Sequence, residues 1–212
     1  DLALFIVATP ALNRIVEWNE AMHLPEALYN IEQWMRQQEN AATKITEQIL
    51  QVNSFSHFLA VIFGIGILTG IGEEMIFRGV LQRIVQDKNH RAHVAVWICA
   101  FLFSAIHLQF YGFIPRLLLG AFFGYLLVWS KNLWLPIFAH LFNNSTVASI
   151  SYFTNDKSPY NLIETIGTSG SPTSWLAGAS LIGTVILLYV LYKKVFVSKS
   201  KEFFPMEDKI TP

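Results

Sequence analysis

Charge is scarce in this chain. Of its 212 residues 14% are Asp, Glu, Lys or Arg, against about 25% in ordinary soluble proteins. Acids and bases balance at 15 each, and there is no basic arm, which argues against nucleic acid as a partner. A single cysteine, Cys99, excludes an internal disulfide and any multi-cysteine metal site. No serine stands in a Gly-x-Ser-x-Gly elbow and no His-Glu-x-x-His occurs, so two common hydrolase signatures are missing. Internal repeats and low-complexity tracts are absent as well.

What fills the chain instead is apolar: 53% of residues are hydrophobic, with 17 Phe and 6 Trp. With so little charge to solvate a surface, this composition predicts an integral membrane protein, and its long apolar runs predict an all-α, polytopic transmembrane bundle with one amphipathic interfacial helix. Length fits one membrane domain over residues 1–200 with a charged tail at 201–212. The chain opens at Asp1 inside an apolar run, so a further N-terminal segment is expected to precede it.

Residues 2–12 read as the exit half of a membrane helix, being too few to cross about 30 Å alone. Residues 13–52 are polar, with six acids against Arg14, Arg36 and Lys44. Within them Leu28, Ile31, Met35, Ala42, Ile45 and Ile49 recur at helical spacing, widened by Trp34. That pattern predicts an amphipathic helix over about 25–50, lying on the membrane, covering a cavity mouth, or simply packed on the bundle. Apolar runs then predict helices over 55–85, 92–107, 113–129, 133–153 and 175–197, with 154–173 as a turn-rich loop. Gly66-xxx-Gly70 and Gly120-xxx-Gly124 suit close packing within the bundle. Arg83, Lys88 and Arg91, then Lys131, then Lys193, Lys194, Lys199 and Lys201 fall on one side if each helix crosses once. The positive-inside rule makes that side, and the C-terminus, cytoplasmic.

The stretch Gly70-Ile71-Gly72-Glu73-Glu74-Met75-Ile76-Phe77-Arg78-Gly79 ends the first long apolar run. Ionisable side chains in hydrocarbon cost at least a few kcal/mol and mark function by default. Glu74 and Arg78 stand at i and i+4 in the favourable order for an ion pair. Glu73 lies about 100° round the helix, without a partner on its own face. It is therefore the candidate general base, unless both acids and the arginine form one ionic latch between helices. Two of six histidines, His107 and His140, interrupt apolar runs, in Phe103-Ser-Ala-Ile-His107 and His140-Leu-Phe-Asn-Asn144. Asn144 is one turn beyond His140 on the same face, with Asn143 at i+3. Cys99 is two turns, about 12 Å, from His107, too far for a thiol–imidazole pair. Glu, two His and Asn remain, a set that can activate water directly or through a metal.

Glu73-Glu74-x-x-x-Arg78, Phe103-x-x-x-His107 and His140-x-x-x-Asn144, in this order on successive membrane helices, resemble the CPBP family. These are the intramembrane CAAX proteases and bacteriocin-processing enzymes, also called Abi or type II CAAX prenyl endopeptidase-like; the chain is similar to a bacterial branch. The resemblance covers 55–153, the catalytic core, and implies endopeptidase activity in a water-filled cavity. It implies that Glu73 with His107 activates water, that His140 and Asn144 stabilise the oxyanion, and that Glu74 and Arg78 form the structural pair. No cofactor is then expected. Zinc held by Glu73, His107 and His140 is the alternative. The partners implied are a peptide or membrane-protein substrate and the lipid bilayer of a bacterial inner membrane. Two competing functions use the same residues: a non-catalytic scaffold or bacteriocin-immunity protein, and a proton-coupled transporter. The latter prefers pseudo-symmetric halves, which the sequence lacks.

Overall fold

The computed structural model describes residues 2–89, 92–153 and 165–194. The expected tail at 201–212 and much of the turn-rich loop lie outside them. Among the described residues the chain is helical throughout. α1 is Leu2–Glu20 and α2 is Tyr29–Leu50, entered through a 3₁₀ turn at Glu26–Leu28. α3 is one unbroken rod assembled from Phe55–Val61, Ile62–Thr69, Gly70–Glu74, Met75–Leu81 and Gln82–Asn89. Then follow α4 (Ala92–Ala105), α5 (Phe113–Ser130), α6 (Trp134–Phe153) and α7 (Leu176–Tyr192). α4 packs along α5, α7 along α1, and α6 along the middle of α3 and against α5.

The apolar-run boundaries agree with these helices to within a few residues, except at two places. α1 does not stop near residue 12; it runs on to Glu20 with Pro10 inside it. Proline removes a donor from the ladder, and here the Ser180 hydroxyl enters the opened rung, accepting from the Ala11 N–H and donating to the Val7 carbonyl. Polar residues in this continuation are satisfied by the chain before α7. Asn13 donates to the Ile166 carbonyl, Arg14 to that of Gly167, and Glu17 accepts from Ser169. Gly167 at φ 88 lies so close to Pro10 that any Cβ there would collide with its carbonyl. The second exception is α4, which ends at Ala105 after 14 residues. It is about 21 Å long, less than the ~30 Å hydrocarbon slab, and His107 therefore sits on a turn. Leu108 follows in a left-handed conformation, φ 53, costly for a branched side chain.

Among the described residues two helices are long and apolar enough to cross a bilayer, Phe55–Gln86 and Phe113–Ser130; Ala92–Ala105 and Leu176–Tyr192 are apolar but shorter. Large apolar side chains point outward along α3, α4 and α7, among them Phe63, Ile76, Trp97, Phe101, Ile182 and Ile186, as a lipid-facing surface requires. The glycine pairs serve packing inside the chain. A Cβ at Gly70 would meet the Leu141 backbone of α6 at 3.2 Å, and one at Gly124 would meet Val96 of α4 at 3.0 Å. Both helices approach at these points because nothing but hydrogen intervenes.

α2 turns its stripe away from the bundle. Leu28, Ile31, Trp34, Ile45 and Ile49 are exposed, while Glu32 is buried. Its polar face grips the turn after α4: Glu39 accepts from the Tyr111 N–H at 3.0 Å, Arg36 lies 4.4 Å over the Tyr111 ring, and Trp34 contacts Phe110. Asn19 clamps the same turn, donating to the Phe110 carbonyl and accepting from the Ile114 N–H. Polar-inward and apolar-outward is the arrangement expected of an interfacial helix.

At the start of α2, Glu32 takes two bonds from Arg36, the Leu24 N–H and the His23 ring. Arg36 first, then these two, hold its carboxyl down to about 2 from an ordinary 4.5. A depressed acid stabilises the fold above its unfolded pKa and loses that contribution as pH falls toward the folded value. Hydrogen-exchange protection of residues 24–36 is expected to decline between about pH 4.5 and 2. In Glu32→Gln the protection should be lower at neutral pH and flat across that window; an unchanged profile would remove Glu32 as the latch.

Candidate active site

Five of the six residues singled out from the motifs converge. Glu74 and Arg78 are wholly buried, with Arg78 Nη1 donating to Glu74 Oε1 at 3.0 Å. Arg78 Nη2 donates to the Gly120 carbonyl of α5 at 2.7 Å. One turn on, Gln82 Nε2 donates to the Gly124 carbonyl at 3.2 Å. Residues four apart on α3 thus meet carbonyls four apart on α5, a zip that needs both glycines for its close approach. Gln82 was missed by sequence reasoning; its i+4 spacing from Arg78 was the available signal.

The central turn Gly70–Glu74 is flanked by two π-helical stretches, Ile62–Thr69 and Met75–Leu81. π-bulges are rare and concentrate at functional sites. Here they set the two acids against different neighbours. Glu74 faces inward: His140 Nδ1 lies 2.8 Å from its Oε1. Glu73, a quarter exposed, faces the histidines from the other side, with Oε1 3.9 Å from His107 Nε2 and Oε2 3.7 Å from His140 Nε2.

The hydrogen bonds decide where the imidazole protons sit. The Phe103 carbonyl can only accept, so His107 Nδ1, 2.7 Å away, carries a proton. Glu74 Oε1, already bound by Arg78, likewise accepts from His140 Nδ1. In the neutral rings both Nε2 atoms therefore present lone pairs toward Glu73. Aromatic walls hold the rings in place. Phe123 stacks on His140 at 4.9 Å, and Phe103 meets both imidazoles edge-on. Arg78 lies 4.9 Å over the Phe103 ring, a desolvated cation–π contact. Of these rings only Phe103 was legible beforehand, as one turn before His107.

Asn144 stands one turn beyond His140 and donates to the Ile65 carbonyl at 3.2 Å, with its own oxygen taking a bond from Asn143. Through that bond it ties α6 to the first π stretch. Among the described residues no three His, Cys, Asp or Glu side chains are spaced to hold a metal ion. Tetrahedral zinc ligands lie about 3.4 Å apart, so Glu73 would have to close by a few tenths of an ångström on each imidazole. An apolar cleft of about 320 Å³ opens between α1, α5 and α7. It shares no lining residue with this cluster, so it is not the polar cavity expected from the sequence.

Residues 55–146 match the family model of type II CAAX prenyl endopeptidase Rce1-like proteins, a span from α3 into α6 that holds every residue of the cluster. This segment is similar to the Rce1-like family. Over 108 residues the chain is also 29% identical to the uncharacterized protein YpbD of Bacillus subtilis (strain 168), covering 49% of this chain and 50% of that protein. It thus spans about half the length of the curated relative it matches. No solved structure matches. The matched family is one of membrane-embedded proteases. α1, α2 and α7 lie outside the match, and these are the elements that brace the Rce1-like core at the His107 turn and along α5.

Proposed function

We propose that this protein is a membrane-embedded endopeptidase that hydrolyses a peptide bond with water activated by Glu73 and His107. One observation carries the reading: a carboxylate and two imidazole Nε2 atoms, all electron-pair donors, point at one another across 3.7 and 3.9 Å. Such a set is stable only around something that supplies positive charge or protons. A water held there gives one proton to Glu73 and attacks the substrate carbonyl carbon. His140, which takes up a solvent proton at Nε2 while its Nδ1–H stays on Glu74, then donates to the oxyanion. Asn144, through the amide proton that Ile65 does not use, is the second donor. As the tetrahedral intermediate collapses, Glu73 returns its proton to the leaving amine.

Glu73, His107 and His140 are also the residues that would hold a zinc ion, which would supply Lewis acidity to the same water. Purified protein in detergent, given a peptide library, separates the two. Cleavage is expected to survive a chelator and to be lost in Glu73→Gln. Loss with chelator and recovery with zinc would reassign the three residues as ligands. No cleavage under any condition, with ion-coupled uptake in liposomes, would favour transport. The same proposal orients the chain with Arg83, Lys131, Lys193 and Lys194 at the cytoplasmic ends of several membrane-crossing helices.

A further inference from the structure

The charged side chains of the cluster are partnered within it: Glu74 binds Arg78, and Glu73 faces the Nε2 atoms of His107 and His140. Arg116 stands outside that pairing. It lies one turn before Gly120, whose carbonyl receives Arg78, so it shares that face of α5 at the level of the His107 turn. Its Nη2 donates to Gln109 Oε1 at 2.7 Å and its Nη1 to the Gln109 carbonyl at 3.4 Å. The guanidinium packs over Gly112, where a Cβ would come within 3.4 Å of it. Every one of these partners is neutral. Among the described residues no carboxylate lies within 4.0 Å of it, and Glu39 and Glu73 feel its charge only from farther off.

A half-buried guanidinium bonded only to neutral oxygens has shed water without gaining an anion. Its planar fork matches a carboxylate in two-point geometry, and the Gln109 carboxamide is a side chain that can swing aside. We propose that Arg116, steadied by Gln109, is a specificity-determining residue that binds a carboxylate of the substrate near the scissile bond. That carboxylate is either the chain's C-terminus or an acidic side chain. The inference rests on the protease reading for its substrate, and its test is arranged to stand apart from it.

The probes are labelled peptides of one library made in matched forms: free C-terminus against C-terminal amide, and Asp against Asn at each position. Binding to Glu73→Gln protein is read by fluorescence anisotropy, and hydrolysis is read on the protein with Glu73 intact. Acid forms are expected to bind roughly tenfold tighter or better, and to be hydrolysed with a correspondingly lower KM. Placing R116Q in each background brings the acid-to-amide or Asp-to-Asn ratio to about one. R116K, which keeps the charge and loses the fork, gives an intermediate ratio and covers a failure of R116Q to fold. The pair whose preference collapses identifies the source of the carboxylate. Equal affinity for acid and neutral forms, or a preference that survives R116Q, overturns the inference. A carboxylate preference in binding without hydrolysis keeps it and overturns the protease reading; hydrolysis without that preference does the reverse.

Discussion

Glu73→Gln is expected to abolish peptide hydrolysis while leaving the fold intact. Glutamine keeps the shape and one acceptor but cannot take a proton, and general-base catalysis alone contributes about 10²–10⁴-fold. The loss should show in kcat, because the proton moves only in the transition state. Glu73 approaches the histidine Nε2 atoms only at 3.7 and 3.9 Å, beyond hydrogen-bond reach, and is a quarter exposed. Its neutralisation should therefore shift the unfolding midpoint in detergent by little. Hydrolysis by Glu73→Gln at the unsubstituted rate would remove Glu73 from the mechanism. A large fall in stability would make it a structural anchor instead.

Glu74 and Arg78 should respond in the opposite way. Both are wholly buried and joined at 3.0 Å, so removing one leaves the other charged in an apolar interior. Breaking such a pair costs about 3–5 kcal/mol, which for a membrane domain means poor expression or a clear fall in the unfolding midpoint. Arg78→Met is expected to do this, and Glu74→Leu likewise. The double variant Glu74→Leu with Arg78→Met should recover much of the stability, since neither charge is then stranded. Activity should not return with it. Glu74 also receives His140 Nδ1–H at 2.8 Å, and without that bond neither the tautomer nor the charge on His140 is controlled. Stability rescued without activity assigns Glu74 both roles. Additive stability losses would show that the two side chains are not coupled.

Much of this was legible because it is local. The Glu74–Arg78 pair follows from a spacing of four on a helix, and it forms even though a π-helical stretch lies across it. The small-residue pairs Gly66/Gly70 and Gly120/Gly124 pointed to close helix contact, and they pack against α6 and α4 of the same chain. The stripe on α2 marked its apolar side. What the stripe did not reveal is that the polar side, through Arg36 and Glu39, is the one that faces the protein. A periodic pattern divides a helix into two faces without saying which faces the bundle.

The less legible features are those made by distant parts of the chain. α1 continues through Asn13, Arg14 and Glu17 because the segment before α7, some 150 residues later, supplies their partners. His107 and His140 come from different elements, the turn after α4 and the helix α6. They meet at one carboxylate because α4 stops after 14 residues and its following turn is held by Asn19 and Glu39. The Arg116–Gln109 contact has no motif at all.

By itself the sequence determined the helices, the apolar surface and the identity of the polar side chains placed within it. Composition and spacing act over a turn or two, and burying a carboxylate or imidazole is expensive wherever it occurs. Only the tertiary structure decided which acid would be neutralised and which left facing two imidazole lone pairs. That division depends on the π stretches of α3, the close approach at Gly70 and Gly120, and the Phe123 stack on His140. Apart from the π stretches these are contacts between helices, and their energies do not exist until the helices are packed.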